Sequence, residues 1–554
     1  MKLKMDGGLN LNDAKNLKDE ETSLALNTDY RQKGVVRSRD GSSVLYSGQG
    51  VDLIGGAQGF VYSVSGDVYK DGTALGVSGV SAVTALGLCK LRNIDTEALL
   101  ISGGSNKKVE GSTVTNWGIS VPNNVPTVAL SGTGITGTYY YRYTYLRKNG
   151  SVIVAESNPS SASTVASPSN QTVDVSWTAS GDSQVTHVRL YRTLTGTLAA
   201  SNDYYYLAEI AVGTTTYADS INDTGLGGLV ELDNDIPPAT GLTSITGPGA
   251  YDTMFIATGN AVYFSKVGRP ESFPADYYFY VGTTNDTIYA LVDWAGLIYM
   301  FTKTAVYLLQ GTNPDTFYPV KTMASRGLAA KRAIVSTEKG IIYLGYDGLY
   351  AFNGQNEVCL TRDKVDSLFR GESFNGVNPI NIGAIDTCWL VYFNGKVFLG
   401  FPDSTNNNPN KVLVYDFDTL KFSIFDYGRS FKSAFVDIFN NRLLAGDTSG
   451  NLLRLETGED DNGSAFTFKI RSKEFVDSLL HVMPSYARYD MHNQGGNTVT
   501  VKYLSDEVLV YSHTVSDHEV HKRRVLKGVS MDSLQVEIES SVTSRVAIGM
   551  TELE

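Results

Sequence analysis

The sequence is poor in the residues that build redox, metal and nucleophilic centres. Its 554 residues include three cysteines, Cys89, Cys359 and Cys388, and six histidines. The cysteines are far apart, odd in number and outside any Cys-x-x-Cys pair, so neither a disulfide framework nor a zinc site is expected. They read as small buried apolar side chains. No run of about 18 apolar residues occurs, so no membrane-spanning helix is expected. The opening MKLKMDGGLNLNDAKNLKDEE lacks the apolar core of a secretory signal. The chain is expected to be made in the cytosol and to leave it only by a route such as a virion. Positive charge is also short: 46 Lys and Arg against 58 Asp and Glu leave a net charge of -12. A protein that grips nucleic acid through its phosphates carries a basic surface instead. The acidic balance reads as a solubility feature, or as a surface that DNA passes without sticking.

Catalytic signatures are missing as well. The glycine-rich stretches LIGGAQG at 53–59 and ISGGSN at 101–106 lack the GxxxxGK[ST] pattern and a following helix, and read as turns. There is no GxSxG nucleophile elbow and no Asp-box phrase (Ser-x-Asp-x-Gly-x-Thr-Trp). Acidic residues do not recur at equivalent repeat positions, as a two-carboxylate glycosidase site on the repeats would need. The tightest histidine cluster is His518-Glu519-Val520-His521. In the β-like context of Val515, Val520 and Val525 its two imidazoles point to opposite faces. No catalytic, cofactor-binding or metal residue is assigned, and a non-enzymatic protein without a cofactor is expected.

What the sequence does have is 55 Gly, 33 Tyr and 22 Phe. Glycine supplies turns and aromatics favour half-buried strands, so an all-β chain of many hairpins is expected. The length implies two or more domains. Residues 1–50 read as an N-terminal arm, with 13–26 compatible with one short helix. A phrase then recurs: turn, β-formers often including tyrosine, turn. It stands as GDVYKDG at 66–72, KKVEGS at 107–112, NAVYFSKVG at 260–268 and TAVYLLQG at 304–311. It returns as DGLYAFNG at 347–354, KVLVYDFD at 411–418 and GNLLRLETG at 450–458. Tyr263 to Tyr307 is 44 residues, Tyr307 to Tyr350 is 43, Tyr69 to Val109 is 40 and Tyr415 to Leu453 is 38. A period of about 40–45 residues suits a four-stranded propeller blade. A β-propeller of about six or seven blades is therefore expected over 51–117 and 248–460. The step from Tyr350 to Tyr415 is 65 residues, which implies a longer blade or an insertion.

Between the two blade regions, 118–247 breaks the period. The stretches TYYYRYTYL, TVDVSW, THVRLYRTL and YYYLAEIAV alternate at β-sandwich spacing, so an inserted sandwich is expected. A second, C-terminal sandwich is expected over 461–554. The tyrosine runs read as core on every second residue, with a carbohydrate-stacking face through Tyr139 or Tyr141 as the alternative. The basic stretches Lys331-Arg332, Arg471–Lys473 and His521–Arg524 read as solvated faces. Docking of an acidic neighbour is the second reading and DNA contact the third.

Several phrases together resemble the tail nozzle, or tail hub, proteins of short-tailed bacteriophages, the group that includes packaged-DNA stabilisation proteins. The arm carries GGLN at 7–10, acids at Glu20 and Glu21, then Asn27 and GVVRSRDGS at 34–42. YFSKVGRPESF at 263–273 and GIIYLGYDGLYAFNG at 340–354 are similar to the blade phrases of that family. Phe273 departs from the tryptophan more often found there. The insert, with ESNPSS at 156–161 and VTHVRLYRT at 185–193, is similar to fibronectin-like domains of phage virion proteins. The resemblance implies a structural virion protein: a homo-hexameric ring below the portal and head-to-tail adaptor rings, beside tail fibres, spikes or a needle. Such a ring retains packaged DNA and forms the channel for its ejection, without binding it specifically. The alternative functions are a receptor- or glycan-binding tail module and, less favoured, a propeller-class hydrolase or lyase.

Overall fold

The computed structural model describes the chain except for residues 1, 33, 49–53, 56–60, 65–66, 77–84, 91–96, 240, 248, 477–485, 494–495, 516–520, 525–531 and 554. The protein is all-β, and among the described residues no sheet closes into a barrel. No described helix is long and apolar enough to cross a membrane.

Among the described residues, seven four-stranded antiparallel meanders recur along the chain. The first spans 54–74 and the second 85–116; the third, fourth and fifth span 242–280, 288–321 and 334–359. The sixth spans 389–425. The seventh takes three strands from 431–455 and its fourth, Ser42–Tyr46, from the N-terminus. Each recurring phrase supplies the third strand of one meander: Asp67–Lys70, Asn106–Glu110, Ala261–Phe264, Val306–Gln310, Gly348–Phe352, Lys411–Asp416 and Leu452–Leu455. The 65-residue step holds an insertion between the fifth and sixth meanders, which carries the short helix Ser367–Arg370 and a 3-10 segment, Ile382–Thr387.

The meanders stack face to face because their central strands are apolar on both faces. In Gly340–Gly345 all six residues are buried. Ile341 and Tyr343 pack with Phe301 and Val306 of the fourth meander, whereas Ile342 and Leu344 pack with Val397 and Leu399 of the sixth. Period-2 alternation thus feeds two interfaces from one strand. The same logic joins the third to the fourth through Val262 and Met300, and the sixth to the seventh through Val391 and Leu453. Leu452 of the seventh packs near Tyr69 of the first.

Residues 127–219 form a two-sheet sandwich, one sheet of three strands and one of four. Val173 and Val175 of the first sheet meet Tyr141, Tyr143 and Leu190 of the second in its core. The sandwich is fixed to the meanders. Val154 enters the core made by Leu100, Trp117, Leu242 and Ile256. Arg147 grips Glu110 with two hydrogen bonds of 2.6 Å. Fully buried Lys108 binds both Glu271 and Gln184, the latter at 2.8 Å.

The N-terminus departs from a free arm. In place of a helix over 13–26, a single 3-10 turn, Ala14–Asn16, is capped by Asp13 and followed by the strand Thr22–Leu26. That strand lies between Lys421–Phe425, to which it runs parallel, and Phe466–Ser472, to which it runs antiparallel. Pairing with distant strands overrides the local helical pattern. The C-terminal region accordingly is no isolated sandwich. Its strands complete one ten-stranded sheet with the sixth meander and one six-stranded sheet with Thr28–Asp29 and Val36–Ser38. One core runs through all of them, from Leu9 and Tyr30 through Leu399 to Ile538 and Ile548.

Candidate functional site at the N-terminal junction

The residues singled out in the N-terminal phrase converge on one place. Asn27 adopts a left-handed backbone, φ 55°, which an asparagine tolerates. There its side-chain oxygen accepts from Arg39 Nε at 2.8 Å and from the Asp426 backbone N–H at 2.7 Å. Its amide nitrogen donates to the Thr467 carbonyl at 2.6 Å. One side chain thus ties the N-terminal segment to the end of the sixth meander and to the C-terminal region.

Arg39 is buried and fully engaged. Its two terminal nitrogens hold Asp461 at 3.1 and 2.6 Å and reach the carbonyls of Asp40 and Asp426. Two residues on, Gly41 passes so close to the Asp460 carbonyl that a Cβ would lie 1.8 Å from it. The Arg-x-Gly phrase therefore marks a site where a planar fork and a bare backbone are both required.

Beside it lies Asp29, whose side chain is fully buried. Lys396 donates to it at 2.8 Å, and Arg31 and Arg37 reach its other oxygen at 2.7 and 2.8 Å. Burial pushes the carboxyl up, but the three cations outweigh it and hold the group down at about 2. Arg31 extends the network to Glu456 and Asp40, and Arg545 joins Asp40 from the turn before the C-terminal strand. Burial pushes Glu456 up. On the other flank, Glu21 binds Lys364 of the insertion and accepts from Asn10 at 3.0 Å. A cleft of about 750 Å³ opens beside Asn27, lined among others by Arg429, Asp461, Phe466, Lys469 and Glu539.

Other highlighted residues are dispersed. Tyr139 and Tyr141 are buried: Tyr141 donates to Asp219 at 2.8 Å, and Arg192 lies over the Tyr139 ring at 4.5 Å. They belong to the sandwich core and offer no stacking face. Arg471 is held by Glu537 at 2.8 Å and Lys473 by Asp19 at 2.6 Å, so this basic stretch is neutralised within the chain rather than offered to a neighbour. Lys331 sits over the Tyr289 ring at 5.6 Å. His518 and the side chains of His521–Arg524 lie outside the described residues, as does the side chain of Cys89. Burial pushes the Cys388 thiol up, and Cys359 is half-buried. Phe273 is buried edge-on to Trp117 at 5.4 Å. Among the described residues no group of three His, Cys, Asp or Glu side chains could hold a metal ion.

Sequence reasoning missed Asp29, Lys396, Asp461 and the Lys108–Glu271 pair. Lys108 and Lys396 show only as charges among β-formers, and Asp461, within GEDDNG, gives no signal of its burial. No known protein family matches the chain, and no curated protein matches it. Among solved structures, glutaminyl cyclase from Myxococcus xanthus aligns over 36% of this chain and 84% of that one. The identity is 13% and the TM-score 0.21, too low to carry an argument about fold or function.

Proposed function

We propose that the seven meanders are the blades of one β-propeller and that the protein is a structural subunit of a bacteriophage tail nozzle. In this reading, copies assemble as a hexameric ring below the portal and adaptor, retain packaged DNA and form the channel through which it leaves. No chemistry is assigned to the chain. Propeller closure is supported by the stacking, which runs from the second meander through the seventh to the first. Lys70 of the first then donates to the Gly111 carbonyl of the second at 2.7 Å. The observation that carries the functional reading is the convergence of Glu21, Asn27, Arg39 and Gly41 on one junction. These are the positions through which the arm resembles nozzle proteins, and each has a structural task there.

Mass photometry of the purified chain, alone and with its cognate adaptor ring, tests the assembly. Six copies on the adaptor are expected; a monomer under both conditions overturns the reading. A second reading, glycan binding, is favoured by Tyr278 and Tyr280. These outer-strand tyrosines are 41% and 60% exposed, with rings 5.5 Å apart. A glycan-array signal lost in Tyr280→Ala would favour it, and an array without signal would remove it.

A further inference from the structure

We propose that residues 20–46 are a releasable clasp, which opens as one unit and in doing so uncouples the C-terminal sheets from the sixth and seventh meanders. The inference rests on strand pairing and on the polarity of the buried contacts, and it stands or falls independently of the nozzle reading.

Three of the four described strands of this segment engage three different bodies. Thr22–Leu26 is the one link between the two halves of the ten-stranded sheet: Leu26 pairs with Ile424 on one side, and Ala25 with Ile470 on the other. Val36–Ser38 pairs with the C-terminal strand, Val36 opposite Ile548. Ser42–Tyr46 completes the seventh meander against Leu452–Leu455. Removing the segment leaves the sixth meander and the C-terminal sheet without a shared strand.

The clasp is held differently from the meanders. Its buried residues include Thr22, Ser23, Asn27, Thr28, Asp29, Ser38, Arg39 and Ser42, against four apolar ones, Leu24, Ala25, Tyr30 and Val36. A meander strand such as Gly340–Gly345 is buried and apolar on both faces. Buried ion pairs contribute register more than net stabilisation, because desolvation offsets their attraction. A segment docked mainly by such groups opens at a lower free energy than an apolar core. The parallel contact with Lys421–Phe425 adds a single register pair. The cleft beside Asn27 and Asp461 brings solvent to the edge of the charge network.

Hydrogen-exchange mass spectrometry on the full chain tests this. Amides of 20–46 and 466–472 are expected to exchange together, at least about tenfold faster than those of 341–352. Lys396→Met, which strips Asp29 of one buried cation, should accelerate both clasp segments and leave 341–352 unchanged. Equal protection of 20–46 and 341–352 in the wild type, or opening of 20–46 while 466–472 stays protected, overturns the clasp. Should the variant fail to fold, a protease site placed at 47–50 provides the second readout. After cleavage the N-terminal fragment should stay bound, leave in mild urea while the other six meanders remain folded, and rebind on dilution. Release only with global unfolding overturns the proposal.

Discussion

The guanidinium of Arg39 lies 4.0 Å from the ring centres of both Tyr427 and Phe466, sandwiched between an aromatic that follows the sixth meander and one that opens the C-terminal region. Stacking on two faces while the rim holds Asp461 uses every feature of a planar cation. Arg39→Lys keeps the charge but loses the fork and the stacking. It should cost about 2–4 kcal/mol in urea unfolding, and Arg39→Ala about 3–5 kcal/mol, because Asp461, whose side chain is only 10% exposed, then loses its cation. A loss below about 0.5 kcal/mol for Arg39→Ala would mean that the sandwich carries no stability.

Asp29 makes the junction sensitive to acid. Its folded carboxyl titrates near 2, below the ordinary value of 3.8. A depressed carboxyl contributes stability that is complete above about pH 4 and is lost as pH falls toward 2. The contribution is about 2 kcal/mol. The unfolding free energy of the wild type should therefore exceed that of Asp29→Asn by this margin at pH 7, and the gap should narrow between pH 4 and pH 2.

The contact between the second and third meanders, which also holds Gln184 of the inserted sandwich, should show strong coupling. Lys108→Met leaves Glu271 buried without its cation and should destabilise by about 3–5 kcal/mol, whereas Lys108→Met with Glu271→Leu should recover most of that loss. Independent, additive costs in the double-mutant cycle would show that the two side chains do not act as a pair.

Gly400 tests the packing of the sixth meander. A Cβ at this position would stand 2.0 Å from the Trp389 ring. Gly400→Ala forces the indole or the strand to shift and should cost about 1–3 kcal/mol, seen as a lowered Tm. Gly181→Ala meets open space and should stay within about 0.5 kcal/mol of the wild type.

The all-β class was legible in the sequence because turn residues and aromatics act locally. The recurring phrase was legible for the same reason. Tyr69, Tyr263, Tyr307, Tyr350 and Tyr415 all fall on third strands. The fate of residues 1–50 was not legible. Thr22–Leu26 is bracketed by strands some 400 and 440 positions away, and no local pattern reports a partner at that distance. The candidate site was half legible. Asn27, Arg39 and Gly41 stood out in a phrase, but Lys396, Asp426 and Asp461 are brought to them by topology alone.

The completion of the seventh meander by Ser42–Tyr46 sets an order of events during synthesis. The ribosome delivers this strand early, yet its neighbour Leu452–Leu455 emerges roughly 400 residues later. At about 5–20 residues per second the wait is roughly 20–80 s. Throughout it this strand lacks its sheet neighbour and the seventh sheet stays open. One of the earliest strands made is thus among the last to be placed, so a nascent chain arrested before residue 452 cannot finish its seventh sheet.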